Sequence, residues 1–238
     1  MGIINLLYKH EYPVTDKIKI MIPTVGEVID NEEAYYELVS ALTSVPYDVM
    51  VQLDDAGIDF TKIEEYDLFI LLFNSIKNSD THLIFGDLDT SRFETAVSTR
   101  TEQLILYDEK DDIVIDQGIH QQIAATLRKI NHLEKTLKKA GNKEARDYLI
   151  KRERTKQKRR RARQSFSQLE QLITALVNTE QFKYNYETVR NMTLYQFNES
   201  LHQIMNKVDY DNLMHGVYAG TVKISDISQD KLNWLSHN

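Results

Sequence analysis

Apolar residues recur at intervals of three, four and seven over most of this chain, the spacing that places side chains on one face of an α-helix. The segment 24–27 (TVGE) has the order of a capping box and predicts the start of the first helix. A short helix from Tyr47 is expected to end near Gly57, which can adopt a left-handed C-terminal cap. A second capping box at 61–64 (TKIE) predicts a strongly apolar helix through Ile76, buried on most sides.

A period near two replaces the helical spacing in two parts of the N-terminal half, and strands are expected there. The segment 18–22 alternates in polarity and ends at Pro23. The other strand candidates are 83–85, 103–107 and 113–115, and the turn 108–112 joins the last two. These segments predict a hairpin or a small antiparallel sheet on an otherwise helical domain.

The central part of the chain predicts two long helices. Asp116 is the expected N-cap of the first, which carries an apolar stripe over 119–137 and is stopped by Gly141 and Asn142. The second starts near Lys143, contains a basic stretch, and regains an apolar stripe only at 166–177. An antiparallel helical hairpin is the simplest arrangement of these two helices.

The C-terminal part predicts one more helical unit. Thr193 opens a third capping box, and an amphipathic helix, or two shorter ones, should run from Leu194 and end at Gly220. The tail 221–238 holds too many apolar residues for a free tail, so it is expected to dock back onto the body.

These elements predict a mainly α fold of the α+β class with three units. Residues 1–116 should form an acidic α+β domain with a β-hairpin or small antiparallel sheet. Residues 117–181 should form a long antiparallel helical hairpin carrying a basic arm, and residues 182–238 a C-terminal helical unit docking on the body.

Charge is distributed unevenly along the chain. The formal net charge of −7 combines a net charge of −16 over 1–126, +12 over 127–164 and −3 over 165–238. An acidic N-terminal part is therefore joined to a basic arm. Attraction between acidic and basic surfaces of two copies is a plausible mode of assembly.

The basic arm is the segment 151–163 (KRERTKQKRRRAR), which contains no large apolar residue. A helix that is polar on every side projects into solvent or is covered by a partner of opposite charge. The predicted partner-binding or anion-binding residues are its nine cations: Lys151, Arg152, Arg154, Lys156, Lys158, Arg159, Arg160, Arg161 and Arg163.

Two classes of partner remain open for this arm. Phosphates of a nucleic acid would suit the positive charge, and binding would then depend steeply on salt. Against this, no aromatic residue interrupts 151–163 to stack on bases, and the acidic remainder of the chain would repel a polyanion. Docking onto an acidic protein surface, including the N-terminal part of another copy, is the alternative.

No catalytic, cofactor-binding or metal site is predicted, and the chain is not expected to be an enzyme. Asp87 and Asp89 could hold a divalent cation, but their segment, GDLDT, also has the residue types that are common in turns. Asp54 and Asp55, like the acids of 108–112, are expected on solvated faces or in a turn. The histidines are scattered, and the absence of cysteine excludes disulfides and thiolate metal sites.

The composition indicates a folded protein rather than a disordered one. Hydrophobic residues make up 42% of the chain, which is ample core material, and there are only three prolines. No apolar run is long enough to span a bilayer, and the N-terminus lacks the features of a signal peptide. A soluble protein with no membrane partner is therefore expected.

Several longer segments together resemble a known family. These segments are IPTVGEV (22–28), VQLDDAGIDF (51–60), KAGN (139–142), YLIKRER (148–154), LVNTEQFKYNYE (176–187), YQFNESL (195–201) and HGVYAGTV (215–222). They resemble an uncharacterised family of proteins from tailed phages and prophages of Gram-positive bacteria, encoded in the tail-morphogenesis region. The similarity covers nearly the whole chain.

The resemblance implies a role in virion assembly. A tail-assembly factor with chaperone-like activity is the first expectation, and a structural component of the virion is the alternative. The implied partners are phage tail proteins, such as the tube or tape-measure subunit, or other copies of the chain. The implied location is the host bacterial cytoplasm during assembly, or the virion. The family supplies no catalytic motif, so no site residue follows from the resemblance.

Overall fold

The computed structural model describes residues 5–99, 101–136, 140–161 and 167–235. Within these residues it contains ten α-helices, a two-stranded antiparallel sheet and a three-stranded antiparallel sheet. The mainly α class with a small β component is therefore confirmed.

The elements follow in chain order. The strands are β1 (Glu11–Pro13), β2 (Lys19–Met21), β3 (Glu94–Val97), β4 (Leu104–Asp108) and β5 (Ile113–Ile115). The first five helices are α1 (Val25–Asp30), α2 (Glu32–Thr43), α3 (Met50–Asp55), α4 (Glu65–Ile76) and α5 (His82–Phe85). The others are α6 (Gln117–Ile130), α7 (Lys143–Arg161), α8 (Gln168–Val177), α9 (Tyr186–Arg190) and α10 (Leu194–Tyr218). Short 3-10 turns occur at Thr90–Arg92, Ile224–Asp226 and Gln229–Leu232.

Two of the three predicted capping boxes are confirmed. Thr24 caps α1 with Glu27, and Thr193 caps α10 with Gln196. The box predicted at Thr61 is wrong, because the Thr61 hydroxyl instead donates to the Asp59 carboxylate at 2.8 Å. The helix that follows, α4, begins four residues later, after Glu64.

The strand predicted at 83–85 is also wrong, because these residues lie in the short helix α5. Ile84 and Phe85 are both buried, whereas neighbouring residues of a half-buried strand would face opposite sides. The Phe85 amide donates to the Thr81 carbonyl, and Gly86 ends the helix with a φ of 61°. Helix α5 then packs on strand β2.

The predicted hairpin of β4 and β5 is confirmed, and a third strand completes its sheet. The strand order is β3-β4-β5, with Leu106 opposite Ile115 and Thr95 opposite Leu106. Strand β3 was not predicted because its sequence, ETAV, offers no alternation of large apolar residues.

Helix α6 begins after its predicted N-cap, Asp116, but ends at Ile130 instead of continuing to residue 140. The Asn131 side chain donates to the Leu127 carbonyl at 2.9 Å, and His132 has a positive φ, so the backbone leaves the helix there. Residues 137–139, which belong to the predicted helix, lie outside the described part of the chain. Helix α7 starts at Lys143 as predicted and packs on α3, an element that the predicted helical hairpin did not include.

The main core joins the N-terminal half of the chain to residues 169–197. Two backbone hydrogen bonds fix this joint, from the Val25 amide to the Met192 carbonyl at 2.8 Å and from the Leu194 amide to the Pro23 carbonyl at 2.7 Å. Gly26 permits the close approach, because a Cβ there would lie 3.0 Å from the Arg190 carbonyl oxygen. The start of α10 is therefore held rigidly by α1 and α9.

His120 is a core residue on α6. Its ring stacks on Phe69 with 4.0 Å between the centroids, and its Nε2 lies 3.3 Å from the Leu42 carbonyl. Nδ1 has no hydrogen-bond partner among the described residues. Burial lowers the pKa of His120 to about 4, so the folded protein holds this ring neutral.

Replacing His120 with leucine should flatten the pH dependence of stability. His120 gains a proton near pH 6.5 in the unfolded chain but only near pH 4 in the folded protein. The neutral ring therefore contributes its full stabilisation above pH 6.5, and this stabilisation is lost as the pH falls from 6.5 to 4. Going from about pH 7.5 to about pH 5 should remove about 2 kcal/mol of unfolding free energy through this residue. Urea unfolding of both proteins at the two pH values measures the difference, and an equal loss in both would contradict the assignment.

Candidate functional site on the basic helix

One buried apolar side chain anchors the basic helix α7. Ile150 is 7% exposed and lies in a small second core with Met50, Leu53, Phe60 and Leu68. This core is separate from the main one and is built around α3. Ile150 is the buried apolar residue of the described part of α7, and the partly buried Leu149 packs against the same core.

Two arginines on the same side of α7 pair with acids of the N-terminal half. Arg146 donates to Asp59 at 2.6 Å, and Arg154 donates to Asp54 at 2.7 Å and to Asp55 at 2.6 Å. Hydrogen bonds to Asp55 and Asp54 raise the pKa of Arg154, and hydrogen bonds from Thr61 and then from Arg146 lower the pKa of Asp59. Attraction between the acidic and basic regions therefore operates within one chain, and attraction between two copies stays a prediction.

A further contact between the two charge regions lies at the end of α6. Arg128 and Lys135 both form ion pairs with Glu65 at the start of α4. Partial burial would raise the pKa of Glu65, but hydrogen bonds from Lys135 and Arg128 outweigh it and lower the pKa. The Arg128 guanidinium also donates to the Thr43 carbonyl, which ties α6 to the end of α2.

Burial alternates around α7 with the period of a helix. The side facing α3 carries the buried Ile150 and the partly buried Arg146, Leu149, Glu153, Arg154 and Gln157. The opposite side is exposed, and we call it the free face. It consists of Tyr148, Lys151, Arg152, Thr155, Lys156 and Arg159, and the exposed Glu144 lies one turn before Tyr148 on the same side.

The nine predicted site residues fall into different environments. Lys151, Arg152, Lys158 and Arg159 are exposed and form no ion pair with any described residue, whereas Lys156 lies 3.4 Å from Glu153. Arg154 forms ion pairs with Asp54 and Asp55. Arg160 and Arg161 belong to α7, but their side chains lie outside the described part of the structure, and Arg163 lies wholly outside it.

Of the two expected settings of the basic segment, projection into solvent holds for the free face, whereas Arg154 is covered by opposite charges of the same chain. One side is docked on α3, because Ile150, directly before the basic run, and two arginines within reach of three aspartates fix it there. Sequence reasoning missed Ile150 as an anchor and Tyr148 as part of the exposed face. The position of Tyr148 could have been found from its spacing, because it precedes Lys151 by three residues and Arg152 by four and so lies on their side of a helix.

The acids considered as metal or catalytic candidates take part in turns and ion pairs. Asp89 accepts from the amide and hydroxyl of Ser91 and pairs with Arg92. Asp108 accepts from the Lys110 amide and also pairs with Arg92. Within the described residues, no group of three or more histidine or acidic side chains is placed to hold a metal ion.

The described surface also carries open grooves. One, of about 490 Å³, lies beside the start of α7 and is lined by Asp59, Lys62, Asn142 and Arg146. Another, of about 650 Å³, lies between the β1–β2 hairpin and Arg92, and ion pairs such as Lys19 with Glu11 occupy its polar wall. The charged groups of this second groove are thus largely paired with one another.

The C-terminal helix has a buried start, then the partly buried Leu201 and Ile204 that pack against the main core, and a remainder with no buried side chain. Leu194, Tyr195 and Phe197 belong to the main core, but no described side chain in 198–235 is buried. Met205 is 57% exposed, Ile224 60% and Tyr218 84%. Many large apolar side chains of this segment are therefore only partly covered.

The tail turns back onto the end of α10. The amides of Thr221 and Val222 both donate to the Gly216 carbonyl, and the left-handed Gly220 makes the turn. A Cβ at Gly216 would lie 2.9 Å from Val222, so the tail approaches the helix closely there. Residues 198–235 thus form a helix-and-tail unit, which we call the C-terminal arm.

No described helix of the chain is both long enough and apolar enough to cross a lipid bilayer.

A family model matches the C-terminal part of the chain. Residues 156–238 match a family model described as the YomV second domain. This stretch begins within α7 and includes α8, α9, α10 and the C-terminal arm. The match supports a phage-related origin at the level of a domain family. No curated protein and no solved structure matches the chain.

Replacing Ile150 with alanine should loosen α7 from α3. Truncating a buried isoleucine to alanine costs about 2–5 kcal/mol, and here the loss falls on the helix's main apolar contact. Amide hydrogen exchange should become faster over α7 than over the main core. Lys151→Ala, one residue along on the free face, is the control and should leave exchange unchanged. Equal exchange of α7 in the two variants would contradict the anchoring role.

Proposed function

We propose that this chain is a non-enzymatic phage morphogenesis protein that acts as a tail-assembly factor with chaperone-like activity. It works by holding a partner protein on surfaces that its own fold leaves uncovered. The match of residues 156–238 to the YomV second domain supports the phage relation. The resemblance of the longer sequence segments to proteins of the tail-morphogenesis region supports the finer assignment.

The observation that carries the proposal is the uncovered apolar surface of the C-terminal arm. A helix of this length that buries no side chain beyond Phe197 gains little stability from its own chain. Contiguous exposed apolar patches mark protein interaction sites, and the proposal takes the exposed apolar residues of the arm to form such a patch. Backbone hydrogen bonds from Val25 to Met192 and from Leu194 to Pro23 attach the start of α10 to the body, so the arm begins at a defined point of the fold.

The chemistry of the arm favours a protein partner. Residues 198–235 carry Lys207, Lys223 and Lys231 against Glu199 and four aspartates, so the arm is nearly neutral at a formal net charge of −2, unlike the acidic N-terminal part and the basic helix. A nearly neutral apolar surface suits an amphipathic helix or sheet of another protein. A tail tube or tape-measure subunit, met in the host cytoplasm during assembly, is the proposed partner.

A structural role in the virion is the alternative, and the two roles predict different particle compositions. An assembly factor copurifies with tail proteins from infected cells but is absent from finished virions. A structural component is present in purified particles in a fixed ratio to the other tail proteins. Quantitative mass spectrometry of both samples separates these outcomes, and stoichiometric presence in particles would overturn the chaperone-like role.

Placing charge on the C-terminal arm should release the partner. The double variant Met205→Glu, Ile224→Glu puts two carboxylates on the exposed apolar surface, where pairing with an apolar partner would bury them without compensation. We expect the recovery of tail subunits with the tagged protein from infected cells to fall at least about tenfold. This corresponds to a loss of about 1.4 kcal/mol of binding free energy.

The matched control is Leu71→Glu, Val97→Glu, which changes two exposed apolar residues outside the arm, 50% and 61% exposed. Its recovery of tail subunits should equal that of the unmodified protein. Unchanged recovery with the arm variant, or an equal fall with both variants, would argue against the arm as the docking surface.

A further inference from the structure

The free face of α7 combines an exposed aromatic ring with cations. Tyr148 is 64% exposed, and no ring or cation among the described residues lies against it. Lys151 and Arg152 follow it at three and four residues, and Thr155 and Arg159 continue the same side of the helix. From Tyr148 to Arg159 the face extends about 17 Å along the helix axis.

The cations of this face are available to a ligand. Lys151, Arg152 and Arg159 make no ion pair with a described residue, although Arg154 on the opposite side is held by two aspartates. Like charges spaced three and four residues apart on one helix repel each other until an anion binds. The free face therefore gains stability from a ligand that carries several negative charges.

The two sides of α7 differ in the chemistry that they can recognise. On the side docked on α3, a buried isoleucine lies between arginine–aspartate pairs. An apolar centre surrounded by a polar rim is typical of protein–protein interfaces. The free face has no aliphatic side chain to form such a centre. It offers instead one flat ring and several cations, the mixture found where proteins bind unpaired bases and their phosphates.

From these observations we infer that the free face of α7 binds single-stranded nucleic acid. Tyr148 stacks on a base, and Lys151, Arg152, Lys156 and Arg159 contact the phosphates. Stacking requires an unpaired base, which favours a single strand over a duplex. This inference is independent of the proposed function, which rests on the C-terminal arm.

The test is fluorescence anisotropy of a labelled oligothymidylate of about 12 nucleotides with the full chain. Four phosphate contacts predict a slope of about −3 when the logarithm of the binding constant is plotted against that of the salt concentration. Tyr148→Ala should weaken binding about tenfold without changing the slope, and Tyr148→Phe should bind as the unmodified protein does. Arg152→Ala with Arg159→Ala should reduce the slope by about 1.4.

Tyr218→Ala is the matched control, because this tyrosine is 84% exposed on α10 and lies outside the free face. Its binding should equal that of the unmodified protein, and circular dichroism should show that every variant is folded. No binding at low salt would overturn the inference. Equal loss in the Tyr148→Ala and Tyr218→Ala variants, or equally strong competition by polyglutamate, would also overturn it, the latter in favour of an acidic protein partner.

Discussion

The docking of α7 on α3 determines which parts of the basic segment can act. One buried isoleucine and two arginines hold the helix, and the three aspartates that pair with the arginines belong to the acidic N-terminal half. Exposed ion pairs each contribute about 1 kcal/mol or less, so the apolar contact supplies the attachment and the ion pairs fix its direction. Without this contact, the exposed cations would have no defined orientation relative to the body.

A second constraint acts at the start of α10. The backbone hydrogen bonds between Pro23 and Leu194 and between Val25 and Met192 join segments that are distant in sequence, and the main core closes over them. The same helix has no buried side chain beyond Phe197, although the partly buried Leu201 and Ile204 still pack against the main core. The folded chain thus presents two surfaces, one charged and one apolar, and each suits a different class of partner.

The sequence predicted what depends on neighbouring residues. The capping boxes of Thr24 and Thr193, the Asp116 cap and the β4–β5 hairpin are set by short-range hydrogen bonds and spacing. Features decided by distant contacts were missed: the Arg154 pairs span about a hundred residues of sequence. A single isoleucine beside a basic run gives no periodic signal, so the docked and free sides of α7 could not be separated from the sequence. The helix at 83–85 was also missed, because an apolar run this short is compatible with a strand and with a helix.

The central claim is that the chain acts by binding through surfaces that its fold leaves uncovered. Amide hydrogen exchange, measured on the free protein and on its complex with a copurified tail protein, tests this claim most directly. The account predicts slower exchange in the complex over residues 198–235, with little change in the main core around Phe69 and Phe197. Slower exchange confined to the body, with residues 198–235 unaffected, would contradict it.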